Sequence, residues 1–199
     1  MDFVDPSFYE NKIIIGLNQV YKKYKCNYII MKDLYEQRFQ KSLLEVIDLN
    51  LTLLYSEYNM AWHTEGKNQI NYNNSYMFSH NDGSGPIEGA LAVIGTDKIA
   101  CKRSGITCGM NIAAYMGAKN IIISGVDSGR INNNLYFNGY TEKQWHSGEN
   151  DPNIENWLNH SDKMNLTIRD KIKEVYGCNI YSLNPFMNFK LDGNDFKPC

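Results

Sequence analysis

Short β-branched and aliphatic runs alternate along this chain with stretches whose apolar positions recur every three or four residues, a pattern that predicts strands joined by helices. Lys12-Ile13-Ile14-Ile15-Gly16-Leu17-Asn18 reads as a buried strand, with Asn18 at its C-terminal end. Residues 19–25 form a polar, tyrosine-rich turn or short helix. Tyr28-Ile29-Ile30-Met31 makes a second strand that ends at Lys32 and Asp33. Between Glu36 and Ile47 the spacing of Phe39, Leu43, Leu44 and Ile47 predicts a helix, and Leu51-Thr52-Leu53-Leu54-Tyr55 follows as a third strand. Strand, helix, strand in this order implies parallel pairing.

Residues 57–89 lack a sustained period and read as a long polar loop, with Tyr76-Met77-Phe78 as a short strand candidate inside it. From Ile87 to Ile94 the spacing fits a helix or a strand. The polar turn Ser104-Gly105-Ile106-Thr107-Cys108-Gly109 leads into a small-residue helix, Met110 to Met116. A turn at Gly117-Ala118-Lys119 and a strand through Ile121-Ile122-Ile123 then deliver Asp127. A second polar loop covers 128–152, a long helix spans about 153–176, and Asn179-Ile180-Tyr181-Ser182-Leu183 closes as a strand before Asn184-Pro185. The tail after Phe189 reads as a surface segment. The expected fold is α/β: one Rossmann-like domain over residues 1–199, with a mostly parallel sheet flanked by helices.

Composition narrows the function classes. With 199 residues the chain is long enough to bury roughly 70% of its unfolded surface around one core. A net charge of −2 gives no whole-chain footprint for nucleic acid. The five cysteines, Cys26, Cys101, Cys108, Cys178 and Cys199, are an odd set without a CxxC pair, which points to a reducing, cytoplasmic setting. No run approaches the ~18 apolar residues that a membrane span requires, and no targeting segment is expected. The Asn-x-Ser/Thr matches at Asn50, Asn73, Asn159 and Asn165 follow from an asparagine-rich composition.

Several residues are placed to carry chemistry. Thr107, Cys108 and Gly109 fall at the N-terminus of the Met110 helix, where unpaired amides and the helix dipole favour an anion; a plain threonine cap is the competing reading. Cys108 is either a thiol activated by that terminus or a small packing residue, and no histidine partner is evident, so packing is the reading preferred. Asp127 and Asn18, at strand ends, suit either a ligand crevice or a turn. His160, in Asn159-His160-Ser161-Asp162 ahead of the amphipathic positions Leu166, Ile168, Ile172 and Val175, is a candidate proton acceptor. His63, His80 and His146 read as solvated loop histidines, and no spacing assembles a metal site. Asp82-Gly83-Ser84-Gly85-Pro86 lacks the lysine of a phosphate loop and reads as a turn. An Asp-x-Asp pair is absent, so phosphate chemistry here calls on dipoles, hydroxyls and cations, which Arg130, Tyr136 and Tyr140 supply.

The segment from Ser104 to Asp127, the loop through Tyr136, and Asn159-His160-Ser161 running to Tyr181-Ser182-Leu183-Asn184-Pro185 resemble the bacterial sialyltransferases of glycosyltransferase family 42. They also resemble the motility accessory factor glycosyltransferases and the archaeal hydroxymethylpterin pyrophosphokinases. The likeness covers about the C-terminal half, with a weaker match over Ile13 to Asp33. It implies that Thr107, Cys108 and Gly109 hold the CMP part of a donor, that Asn18 touches the nucleotide sugar, and that His160 is the general base. Asp127 joins the nucleotide-binding set. Of the family's tyrosine pair, the first position falls on Gly129 and Tyr136 lies near the second, which leaves Tyr136 and Arg130 to stabilise the leaving phosphate. The family's opening strand and Gly-x-Gly-Pro-Ser-type loop have no counterpart in these residues.

The resemblance implies an inverting, metal-independent transferase with no cofactor, using a CMP-activated, sialic-acid-like donor and a glycan or protein acceptor. A homo-oligomer is compatible with it. The alternatives are a non-catalytic nucleotide-binding protein of the same fold and a pterin diphosphotransferase. The last would need Mg²⁺ and carboxylates near Asp127, with Asp33 as the candidate.

Overall fold

In the computed structural model, which describes residues 5–32, 34, 37–57, 70, 72–81, 83, 85–102, 104–125 and 154–183, the β-branched runs become parallel strands and the periodic stretches become helices. In chain order these are β1 (Ile15–Leu17), β2 (Tyr28–Met31), α1 (Gln37–Asp48), β3 (Thr52–Ser56), β4 (Ser75–Phe78), α2 (Ile87–Val93), α3 (Gly105–Tyr115), β5 (Asn120–Ile123), α4 (Ile154–Tyr176) and β6 (Asn179–Ser182). Short 3-10 turns cover Pro6–Tyr9 and Asn18–Lys22. The class is α/β, as expected, and among the described residues every strand pair is parallel.

The strands form two hydrogen-bonded groups, β1-β2-β3-β4 and β5-β6. Pleating sends successive side chains to opposite faces, and the register aligns them into two layers. On one face Ile29 and Met31 of β2 sit beside Leu53 and Tyr55 of β3, packed with Leu43 and Val46 of α1. On the other, Leu17, Ile30 and Leu54 pack with Cys108 and Ile112 of α3. A third cluster joins Met110 and Ala114 of α3 to Ile168 and Ile172 of α4, Ala90 of α2, Ile123 of β5 and Ile180 of β6. Helix α3 thus contributes to the cores of both strand groups. Tyr9 Oη adds a polar link, 2.7 Å from Ser124 Oγ just beyond β5, while its ring packs on Tyr24.

The buried helix faces are narrower than the apolar spacing predicts. On α1, Val46 is fully buried while Leu44 is 61% exposed; on α4, Ile168 and Ile172 are buried while Val175 lies outside the core. The segment Ile87–Ile94, left open between helix and strand, is α2. Among the described residues no helix is long and apolar enough to cross a membrane.

Cys26 closes the α1-side core, and burial pushes its thiol from 9.0 up to about 11. The folded chain therefore keeps a proton that the unfolded chain releases above pH 9. The associated stability is fully present below pH 9 and is lost as pH rises through 11. Melting temperatures measured between pH 8 and 11.5 should fall more steeply for the wild type than for Cys26→Ala. Identical slopes would rule out Cys26 as a contributor.

Candidate functional site

The end of β1 meets the start of α3 in ordinary van der Waals contact. Leu17, the last residue of β1, lies against α3 where Gly105 and Gly109 share one helix face. A methyl group on Gly105 would come within 3.8 Å of Leu17 Cδ1, and one on Gly109 within 3.5 Å of Leu17 Cδ2. The next residue, Asn18, takes a left-handed φ of 51°, which asparagine tolerates better than most residues. Asn18 is therefore delivered to the carboxyl edge of the sheet beside the first turn of α3. In open α/β sheets ligands bind in the crevice outside those strand ends.

The start of α3 corrects the sequence reading. Ser104, not Thr107, caps the helix: its hydroxyl accepts the Ile106 amide at 3.1 Å. The helix thus begins five residues earlier than Met110, and Thr107, Cys108 and Gly109 lie inside it. The first-turn amides left without a preceding helical carbonyl are those of Gly105 and Thr107. Thr107 is fully buried, and its hydroxyl is committed locally, accepting from Lys102 N–H at 2.9 Å and donating to the Ser104 carbonyl at 2.8 Å. The Cys108 side chain is buried among Ile30, Ile99, Cys101 and Ile112, which makes it a packing residue and excludes it as an exposed nucleophile.

A braced double loop fixes the approach to α3. The Ile99 amide donates to the Ser79 carbonyl at 2.8 Å, and Asn81 grips Cys101 from both sides, accepting its N–H at 2.6 Å and donating to its carbonyl at 2.9 Å. Lys102 is 4% exposed, and its ammonium donates to the Gly83 carbonyl at 3.3 Å and to that of Gly85. Gly83 and Gly85 are thus held by a buried cation placed two residues before the cap of α3. Lys102→Met leaves both carbonyls without this donor and should cost about 1–3 kcal/mol of stability in urea unfolding. A loss below about 0.5 kcal/mol would show that the ammonium does not hold these glycines.

His80, expected in solvent, is 8% exposed at the end of β4, with Nδ1 against the Asn81 carbonyl. His160 is exposed and lies within α4, which starts at Ile154. The residues that α4 buries next to it are Ser161, Asp162 and Asn165. Helices α3 and α4 pack together through Met110, Ala114, Ile168 and Ile172. Among the described residues, Asn111 Nδ2 on α3 and Ser161 Oγ and Asn165 Oδ1 on α4 are buried without a hydrogen-bond partner. Such groups carry a desolvation penalty of about 1–3 kcal/mol each.

The structure thus sets the end of β1, which Asn18 follows directly, against the start of α3. Asp33, Asp127, Arg130, Tyr136 and Tyr140 lie outside the described residues, as do His63 and His146. Among the described residues, no group of three or more His, Cys, Asp or Glu side chains is arranged to hold a metal ion. Sequence reasoning missed Lys102, Asn81 and Gln19. The only signal was their position beside glycine-rich or strand-end segments. No protein-family model, curated protein or solved structure matches the chain.

Proposed function

We propose that this chain transfers a sugar from a CMP-activated donor by an inverting, metal-independent route, with the donor phosphate seated where Asn18 meets the first turn of α3. The observation that carries this reading is the seating of Leu17 on Gly105 and Gly109, which places the end of β1 against a helix N-terminus. The positive end of the helix dipole and the first-turn amides favour a phosphate there. Because the Thr107 hydroxyl is already engaged, the phosphate contacts in this reading come from backbone amides, and Asn18 supplies the side chain.

In the proposed reaction His160, exposed on α4, takes the proton of an acceptor hydroxyl on a glycan or protein. The acceptor oxygen attacks the anomeric carbon as the bond to the CMP phosphate breaks, and CMP leaves from the opposite face with inversion. Arg130 and Tyr136 would bear the charge on the leaving group, and Asp127 would contact the nucleotide. These three roles come from the sequence, by position and by resemblance, and the three residues lie outside the described ones.

A non-catalytic nucleotide-binding role shares the same cleft. One observation favours it: α4 turns Ser161, Asp162 and Asn165 inward and leaves His160 outside. Calorimetry with CMP, combined with an assay for CMP-sugar hydrolysis, separates the two. Binding with turnover supports the transferase, binding without turnover supports the alternative, and absence of binding to CMP overturns both.

A further inference from the structure

We infer that Gln19 is a positioning residue for the donor site, acting through Ser42 of α1 to set the conformation of Asn18; the inference rests on the donor reading above. Leu17 and Gln19 are two residues apart, and in a continuous strand they would point to the same face of the sheet. Here they do not. Leu17 packs toward α3, whereas Gln19 is fully buried and donates from Nε2 to Ser42 Oγ at 2.9 Å, on the α1 side. The left-handed Asn18 between them makes the reversal. Its backbone is held from one side by α3 and from the other by α1.

The rest of the turn is fastened to the same helix. Tyr21 Oη donates to Glu45 Oε2 at 2.7 Å, and Lys22 Nζ lies 3.1 Å from the same oxygen. Both contacts are partly solvated and contribute little on their own. The Gln19–Ser42 pair is buried and follows Asn18 directly in the chain, so it restrains the Asn18 backbone. Losing it lets Asn18 sample other conformations, and apparent affinity falls with the fraction that remains competent.

The test compares wild type, Gln19→Leu, Ser42→Ala and the double variant, with CMP as the probe. Gln19→Leu should weaken CMP binding roughly tenfold. The double variant, which removes both polar partners, should regain much of the lost stability without regaining affinity. Recovery of affinity in step with stability would reduce Gln19 to a structural residue and overturn the inference. A readout without ligand separates this from failure of the donor reading. In Gln19→Leu the amide-to-Hα coupling of Asn18, measured by NMR, should leave its left-handed value. An unchanged coupling overturns the positioning role whether or not CMP binds. A changed coupling in a protein that does not bind CMP overturns the donor reading and, with it, the role of Gln19 in donor binding.

Discussion

Gly16→Val is expected to destabilise the fold by about 3 kcal/mol or more, because overpacking a filled core typically costs 1–3 kcal/mol and valine adds three carbons rather than one. Gly16 occupies the middle of β1 and pairs with Ile29 of β2. A Cβ there would sit 2.7 Å from Cys26 Sγ and 2.9 Å from Ile29 Cδ1. Ile29 is fully buried and Cys26 nearly so, and both side-chain ends would have to shift within the core. Strand β1 would be pushed away from β2, and Asn18 with it. Urea unfolding gives the magnitude, and Cys26→Ala in the same chain should relieve part of it by removing the nearer atom. Equal stability of wild type and Gly16→Val would mean that β1 is not packed as described.

The second large effect belongs to His160. If His160 takes the proton from the acceptor, His160→Ala should lower turnover of a CMP-sugar by about 10²–10⁴-fold, the usual contribution of a positioned general base. CMP affinity should stay within about twofold of wild type, because His160 makes no donor contact in the proposed reaction. Its exposure on α4 suits a group that meets an acceptor arriving from solvent. Loss of turnover together with loss of CMP binding would point instead to damage at the cleft. Unchanged turnover would remove His160 from the chemistry.

Much of the fold was legible because apolar period and burial coincide. Tyr28–Met31 was read at its observed limits, since a β-branched run with a buried partner on each face leaves no other solution. The long helix over 154–176 was equally plain. The start of α3 was not. Gly105 and Gly109 read as a turn because glycine is a poor helix former, yet both lie inside the helix, on the face that Leu17 packs against. Local propensity gave way there to a tertiary contact that only the fold brings about. Lys102 and His80 were missed for a related reason: both residue types are mostly found in solvent, and only the loop packing buries them.

The candidate site was legible in part. Asn18 was placed at a strand end from the pattern alone, but its left-handed backbone and the reversal toward Ser42 are tertiary consequences. Thr107 reads either as part of an anion site at a helix N-terminus or as a plain cap, because the pattern starts the helix at Met110. The bond to Lys102 that occupies the Thr107 hydroxyl spans the turn before the cap, and no local pattern reveals it.

The most direct test of the donor site is a CMP titration followed through backbone amide resonances of the isotopically labelled chain. The expected result is saturable shifts concentrated at Asn18 and at Gly105, Ile106 and Thr107. Shifts confined to other segments, or none at saturating CMP, would contradict a phosphate seat between the end of β1 and the first turn of α3.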